Sequence, residues 1–366
     1  MSATTISCLQ ISSKHNISFG NLSSASKLRC KLDNVNKCGL SDTSSLCMQA
    51  KSNISGINDA YSSPSSSSSL STTTFGVMDS NLLLSEILLG RMVSDYVFRQ
   101  GYKIRLWETG PGHVALLETL MNFIQEALVN RARSIGVLSD DMNSTRVMSK
   151  HKLVWVVTKL QLEVDRYPTW DDVVYVDHWG STSGKNAMCG TWLIRDSQTG
   201  EILVKASSHW IVMNKETRRL CKIPDDVRVE LAPTTIDTPP VIQENDIQYK
   251  KFDTNEIVHV RHGLLATWKD LDANQHVNNV KYTGWILESV PDWIMEKYEL
   301  ESMTLEFRRE CMKGSVVQSQ TLVLENDNSS ERVDCQHQLQ FEGGSSGVIL
   351  KGMTIWRPKR EYYLSQ

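Results

Sequence analysis

The chain has 366 residues, of which 40% are hydrophobic and 22% charged, and its formal net charge is −3 at pH 7. This length allows two or three domains, and the slight excess of acid argues against a nucleic-acid-binding protein. Its eight cysteines form no CxxC pair, so we expect no zinc site and no disulfide framework, and no sequence motif calls for a cofactor. No apolar run reaches about 18 residues, and the short apolar stretch at 81–90 carries Glu86, so membrane contact is not expected.

Residues 1–75 differ in composition from the rest of the chain. They are rich in serine and hold six Lys or Arg side chains against only three acids. Such a stretch cannot bury a core, so we expect it to be disordered. A serine-rich, acid-poor and mildly basic N-terminus is typical of a plastid or mitochondrial transit peptide, although an ordinary disordered tail has the same composition. The presence of a single arginine, Arg29, favours the plastid.

Hydrophobic periodicity predicts an α+β domain over residues 90–231. Apolar residues recur at helical spacing over 113–135, which predicts one long helix. The segment DSQTG, residues 196–200, predicts a hairpin turn between two of the strands. Strands are predicted at 96–106, 152–165, 173–179, 187–196 and 202–214.

The same order of elements returns after residues 232–249, which are rich in Pro, Thr and acid and are predicted to be a linker. A helix is predicted at 277–297, with a break or kink near its end at Pro291. The strands predicted around it cover 257–268, 303–310, 316–325, 333–342 and 348–356. A second α+β domain over 250–360 therefore makes the chain a tandem repeat.

A polar cluster lies just ahead of the second predicted helix. Asp272, Asn274 and His276 alternate, so an extended or turn backbone would place all three side chains on one side. The N-terminus of a helix favours negative charge and would stabilise a developing oxyanion. Spacing alone does not separate this interpretation from an Asn- and Asp-rich helix cap with a surface histidine.

The stretch DLDANQHVNNVKYTGWILESVP, followed by LEFRREC at 305–311, resembles the plant acyl-acyl carrier protein thioesterases. The resemblance is closer to their B class, which favours saturated acyl chains, and it runs from residue 96 to residue 360. Further matching stretches are ETLMNFIQEALVN at 118–130, LVWVVTKLQLEVDRYPTWDDVV at 153–174, MNKETRRLCKIPDDVR at 213–228 and IWRPK at 355–359. Several long motifs in one order are a far more specific signal than a single short motif.

The resemblance implies a tandem hotdog fold, in which each repeat is a curved antiparallel sheet around one long helix. It also implies hydrolysis of the thioester of acyl-acyl carrier protein in the plastid stroma, with the carrier as partner and a medium or long acyl chain as substrate. The first repeat would supply the acyl-chain cavity, for which Met121, Ile124 and Trp155 are candidate walls, although plain core packing explains such residues equally well. The second repeat would supply the catalytic groups, which the matching motifs place at Asp272, Asn274, His276, Glu310 and Cys311.

Two mechanisms compete for these residues. In one, Cys311 is the nucleophile and His276 is its base. In the other, Asp272 and Glu310 work with His276 to activate water, and Asn274 helps to bind the carbonyl. A regular strand over 303–311 would turn Cys311 towards the helix and Glu310 away from it, whereas a bulge at 308–310 would reverse this. We favour water activated by the carboxylates, because such carboxylates near the start of the helix recur in hotdog thioesterases.

The first repeat departs from the family pattern at two places. Met188–Trp192 replaces an Arg-rich stretch, and Gly110–Leu116 replaces a run with acidic and basic residues, which weakens the basic surface available to an acidic carrier. A hotdog protein that binds acyl chains or carrier with little turnover, or a thioesterase acting on acyl-CoA, is therefore the alternative function. Hotdog sheets pair edge to edge, so the two repeats could pair within one chain, and a homodimer is also open.

Overall fold

The structure is a computed structural model, and it describes residues 85, 89–140, 142–243, 247–252, 258–324, 331–343 and 347–360. The predicted transit peptide, residues 1–75, lies outside the described residues. The helices are α1 (Leu117–Ser134), α2 (Arg146–Lys150), α3 (Asp225–Leu231), α4 (Asn279–Leu287) and α5 (Asp292–Lys297). The strands are β1 (Arg91–Met92), β2 (Phe98–Lys103), β3 (Leu153–Val164), β4 (Val173–Ser183), β5 (Ala187–Asp196), β6 (Ile202–Asn214), β7 (Leu220–Cys221), β8 (Val258–Leu265), β9 (Tyr298–Phe307), β10 (Val316–Leu324), β11 (Val333–Phe341) and β12 (Val348–Pro358).

All these strands belong to one antiparallel sheet, in the order β1-β2-β4-β5-β6-β3-β9-β12-β11-β10-β8, with β7 paired to β6. The second half of this order mirrors the first. The halves meet where β3 pairs with β9, with Lys159 opposite Glu306 and Glu163 opposite Ser302. The predicted tandem α+β repeat is therefore confirmed, and its two repeats pair edge to edge within one chain.

One large hydrophobic core joins the two repeats. Leu120 and Ile124 of α1 and Trp285 and Ile286 of α4 all belong to it, together with apolar side chains from the strands. A second, smaller cluster contains Met148 of α2 and Val227 of α3. Both α1 and α4 therefore pack on the same continuous core, and neither repeat has a fully separate interior.

The helix predicted at 277–297 is divided in the structure. Residues 277–297 form two short helices, and Pro291 lies immediately before α5, as expected for a residue without an N–H group. The helix α4 starts only at Asn279, because the Val277 N–H is used by the Cys311 carbonyl and the Asn278 side chain accepts a hydrogen bond from the Val280 N–H. Val277 is therefore part of the preceding turn.

The strand β9 ends earlier than predicted. It stops at Phe307, because the N–H groups of both Arg308 and Arg309 donate to the one carbonyl of Ile349, at 2.8 and 3.1 Å. Two residues opposite one partner break the alternation of a regular strand. The prediction of a strand over 303–310 is thus wrong for its last three residues, and the phase of a regular strand cannot place Glu310 and Cys311.

Candidate active site

Residues 272–276 form a compact turn that Asp272 holds together. The Asp272 N–H donates to the His276 carbonyl at 2.7 Å, and the Gln275 N–H donates to the Asp272 carbonyl at 3.0 Å. One carboxylate oxygen of Asp272 accepts from the N–H groups of Asn274 and His276, at 2.8 and 3.1 Å. Gln275 has a φ of +64°, in the left-handed region. Asp272 therefore organises the backbone that carries Asn274 and His276.

This turn is anchored on both sides. The Val277 N–H donates to the Cys311 carbonyl at 2.9 Å, and the Asn278 N–H donates to the Asp270 carbonyl at 2.9 Å. Asp270 is buried and accepts from the Thr267 N–H and hydroxyl, at 2.8 and 2.6 Å. The turn is thereby fixed directly before the N-terminus of α4, where free N–H groups can stabilise negative charge.

His276 and Glu310 lie together at the surface end of this turn. His276 Nε2 is 3.5 Å from Glu310 Oε2, and their side chains are 28% and 37% exposed. Glu310 follows the end of β9, in the irregular segment that also pairs Met312 with His276. The loss of strand regularity at residues 308–310 therefore turns the Glu310 carboxylate to the histidine.

Cys311 takes a different position from Glu310. Its side chain is fully buried, and its N–H donates to the Tyr282 hydroxyl at 3.0 Å. Burial raises the pKa of the Cys311 thiol to about 11, against a smaller opposing effect of the Tyr282 hydroxyl. At pH 8 only about one thiol in a thousand would be ionised. The described contacts thus give Cys311 the character of a packed, uncharged thiol.

The pKa of the His276 imidazole is lowered from its ordinary value. Burial is the largest cause, the positive charge of Arg218 lowers it further, and the negative charge of Asp272 opposes both. The neutral imidazole is the form that can accept a proton. No group of three or more His, Cys, Asp or Glu side chains among the described residues is placed to hold a metal ion.

The first repeat contains a copy of this turn without its chemistry. Its Gly110 N–H donates to the Val114 carbonyl at 3.0 Å, and its His113 N–H donates to the Gly110 carbonyl at 2.9 Å. The Ala115 N–H donates to the Pro168 carbonyl at 2.8 Å, as Val277 does to Cys311. These bonds show which residues of the two repeats correspond. Gly110, Gly112 and Val114 stand where the second repeat has Asp272, Asn274 and His276. Tyr167 and Pro168 stand where it has Glu310 and Cys311.

The three candidate cavity walls do not lie together. Met121 and Ile124 are both 4% exposed on α1 and belong to the large core. Trp155 on β3 packs instead on the small cluster around Met148 and Val227. Of these three residues, the structure brings together Met121 and Ile124 only.

Two residues that the structure places at this site were not identified from the sequence. Arg218, in the turn between β6 and β7, contacts the Glu310 carboxylate. Tyr282, one turn into α4, holds the Cys311 backbone. Both fall inside stretches that carry the family resemblance, but nothing in their spacing links Arg218 to a histidine 58 positions later.

Both repeats match models of one protein family. Residues 95–231 match the acyl-ACP thioesterase N-terminal domain, and residues 253–358 match the acyl-ACP thioesterase C-terminal domain, where ACP is acyl carrier protein. A chloroplastic palmitoyl-acyl carrier protein thioesterase of Arabidopsis thaliana is 48% identical over 285 residues, which is 76% of this chain and 69% of that protein. A protein of the same name from Gossypium hirsutum is 48% identical over 286 residues, 76% of this chain and 68% of that one.

A solved structure agrees with these matches. The 12:0-ACP thioesterase from Umbellularia californica superposes with a TM-score of 0.67 at 44% identity, covering 72% of this chain and 94% of that one. The fold is thus the tandem hotdog fold that the resemblance implied. Among the described residues, no helix combines the length and the apolar character that crossing a bilayer requires. The chain belongs to the acyl-ACP thioesterase family, and its resemblance is to the B class.

Proposed function

We propose that the protein hydrolyses the thioester of acyl-ACP with a water molecule that His276 and Glu310 activate. The observation that carries this proposal is the pairing of the His276 imidazole with the Glu310 carboxylate at 3.5 Å, beside a Cys311 thiol that is fully buried. A carboxylate in contact with an imidazole orients it and stabilises its protonated form. A buried thiol with a raised pKa is a poor nucleophile.

Each step of the reaction then has a group to perform it. Neutral His276 takes a proton from water, and the resulting hydroxide attacks the thioester carbonyl carbon. The negative charge that moves to the carbonyl oxygen is stabilised by the Asn274 amide and the N-terminus of α4. When the carbon–sulfur bond breaks, the protonated His276 returns its proton to the leaving thiolate. Asp272 acts by holding the turn, since one of its carboxylate oxygens already accepts two backbone N–H groups.

The two repeats divide the work in this proposal. The C-terminal domain, residues 250–360, carries the catalytic groups, and the N-terminal domain, residues 90–231, accommodates the acyl chain. Support for this division comes from the first-repeat turn, in which glycine and valine replace the groups that the reaction needs. Met121 and Ile124 remain candidate walls because they face the core that α1 shares with α4. Trp155 would serve only if the acyl chain reached the smaller cluster around Met148 and Val227.

The surface beside His276 suits an acidic carrier protein. Trp268 and Met312 are large apolar side chains that are 72% and 56% exposed. Lys313 lies 5.2 Å above the Trp268 ring, and Met312 pairs with His276. Exposed apolar groups rimmed by positive charge are the pattern of a docking site for a negatively charged partner. We assign this surface to the acyl carrier protein.

Charge reversal tests the docking surface. Lys313→Glu should raise KM for acyl-ACP several-fold, leave kcat nearly unchanged, and leave hydrolysis of a short carrier-free thioester unaffected, because rim charges act mainly on association. Lys297→Glu is the matched control, since exposed Lys297 ends α5 at the far end of the helical segment from His276. Equal KM values for the two variants would refute the assignment.

The proposed substrate and compartment follow from the relatives. Those compared above are named for palmitoyl and 12:0 substrates, and two of them are named chloroplastic. We therefore place the protein in the plastid stroma, acting on saturated acyl-ACP, with residues 1–75 as its transit peptide.

A single-turnover assay tests the proposed function. The full chain is mixed in excess with palmitoyl-ACP, dodecanoyl-ACP or palmitoyl-CoA, and free fatty acid is measured after rapid quenching. We expect release from acyl-ACP, and loss of that release by on the order of 10² or more in His276→Ala. Binding of acyl-ACP without release would instead identify an acyl-binding protein, and release from palmitoyl-CoA alone would identify an acyl-CoA thioesterase.

A further inference from the structure

Arg218 reaches the catalytic groups from the other repeat. It lies in the turn between β6 and β7, which the Asn214 side chain builds by accepting from the N–H groups of Glu216 and Thr217, at 3.0 and 2.8 Å. The Arg218 N–H donates to the Asn214 carbonyl at 2.9 Å, and Arg218 has a φ of +56°. A non-glycine residue in this region marks a backbone position that its surroundings hold in place.

The Arg218 guanidinium contacts Glu310 Oε2, and this same oxygen is the one that lies 3.5 Å from His276 Nε2. Glu310 sits in the irregular segment after β9, where the sheet ladder no longer fixes the direction of its side chain. A carboxylate in such a segment would sample several rotamers. The guanidinium, with its planar set of donors, restricts that sampling.

We propose that Arg218 is a positioning residue that holds Glu310 against His276, so that one catalytic centre depends on both repeats. This inference rests on the proposed function, because it assigns a role within the same reaction. Arg218 makes no contact with the reacting atoms in this account and acts through Glu310. The two repeats therefore cannot be separated without loss of the centre, although the side chains that do the chemistry all belong to the second.

The electrostatics of the site give the inference a specific signature. The groups that act on the His276 imidazole are Asp272 in its own turn, Glu310 in the segment after β9 and Arg218 from the first repeat. Tyr282 and Cys311, which lie behind the turn, stay uncharged because burial raises the pKa of each. Removing the positive charge at 218 should therefore raise the pKa of His276.

The test compares Arg218→Gln, Arg218→Lys and Arg219→Gln in the full chain. Arg219 is the matched control, since its side chain is exposed in the same turn and only its backbone bonds to Asn214. In Arg218→Gln we expect kcat to fall roughly 10- to 100-fold at nearly unchanged KM, because a displacement of about 1 Å at a catalytic group lowers the rate by that order. The acidic limb of the pH–rate profile of Arg218→Gln should move to higher pH. Arg218→Lys should restore part of the rate. The unfolding midpoint should stay constant, because the pair of Arg218 and Glu310 is exposed.

A double-mutant cycle with Glu310→Gln completes the test. If Arg218 acts through Glu310, Arg218→Gln should have little further effect in the Glu310→Gln background. Wild-type kcat and pH profile in Arg218→Gln, or full additivity in the cycle, would overturn the inference. An NMR titration of His276 gives a readout independent of turnover, so a failure of the proposed function would still leave a shift of the His276 pKa to be found. The absence of that shift in Arg218→Gln would also overturn the inference.

Discussion

His113 and Gln275 occupy the same left-handed backbone position in two copies of one turn, with φ values of +58° and +64°. The hydrogen bonds around them agree to within a few tenths of an ångström, with the carbonyls of Gly110 and Asp272 accepting at 2.9 and 3.0 Å. The turn is thus a property of the repeated backbone. The difference between the copies lies in the side chains, so the scaffold can be tested apart from the chemistry.

Substitution of Gln275 separates these two roles. Gln275→Gly should be neutral or slightly stabilising, because glycine adopts the left-handed region without steric cost. Gln275→Val should cost roughly 1–2 kcal/mol of stability and reduce hydrolysis. The matched variant His113→Val should cost a similar amount and leave the rate unchanged. Chemical denaturation and a turnover assay on all three measure this, and a rate loss as large in His113→Val would contradict it.

Replacing Asp272 distinguishes its charge from its hydrogen bonds. Asp272→Asn keeps an oxygen that can accept from Asn274 and His276, so we expect a folded turn with part of the activity. Its acidic limb should move to lower pH, because the lost negative charge had raised the pKa of His276. Asp272→Ala removes the acceptor, which should lower the free energy of unfolding by about 1 kcal/mol and abolish nearly all hydrolysis. Identical rates in the two variants would show that the turn is not held by this acceptor.

The pH dependence of kcat/KM follows from the two pKa shifts at the site. Activity needs neutral His276, and burial lowers its pKa, so the rate should fall only below about pH 6.5. A thiolate mechanism would require ionised Cys311, whose pKa is raised to about 11, so the rate would keep rising through pH 8–10. A profile that is flat between pH 7 and pH 8.5 supports the histidine mechanism. A continuous rise over that interval would contradict it.

Acid stability should depend on His337 in the second repeat. This fully buried residue pairs with Thr321 at 2.8 Å and Thr354 at 2.7 Å, and burial lowers its pKa to about 3. The unfolded chain binds the extra proton below about pH 6.5, so stability is lost as the pH falls from there towards about 3. Between about pH 6.5 and about pH 3, one buried histidine such as His337 lowers the free energy of unfolding by at most roughly 1.4 kcal/mol per pH unit.

Urea unfolding at pH 7 and pH 5 measures this dependence. His337→Gln should be less stable than the wild type at pH 7, because the threonine contacts are disturbed, but should lose less stability between the two pH values. His113→Gln is the matched control, since it makes the same histidine-to-glutamine change at an exposed position. An unchanged pH dependence in His337→Gln would exclude His337 as the source.

The sequence predicted the order of the elements well, because alternation and turn residues are local signals. The bounds of β5 and β6 agree with their predictions at 187–196 and 202–214, where the hairpin turn fixes both ends. The predicted end of β9 was wrong, because β9 ends where two of its following N–H groups share the Ile349 carbonyl, which belongs to a strand about forty residues away. Local patterns cannot show such a contact.

The candidate site shows the same limit. Asp272, Asn274 and His276 share one turn, so their proximity followed from their spacing. The choice between Glu310 and Cys311 required the backbone after Phe307, and the role of Arg218 required the pairing of the two repeats. Trp155 was proposed from its apolar character, and only the sheet shows that it faces the smaller cluster. The positions that the sequence did not predict are determined by contacts between segments that are distant in the chain.

In the proposed reaction His276 and Glu310 activate water, and no covalent intermediate forms on Cys311. Single-turnover hydrolysis of palmitoyl-ACP by Cys311→Ala and Glu310→Gln, with intact-protein mass spectrometry of the quenched wild type, distinguishes this reaction from a thiolate mechanism. We expect Cys311→Ala to release fatty acid at close to the wild-type rate, Glu310→Gln to lose a factor on the order of 10² in that rate, and no acylated protein to be detected. Loss of all release in a folded Cys311→Ala protein, together with an acyl group on Cys311 of the wild type, would contradict the proposed reaction.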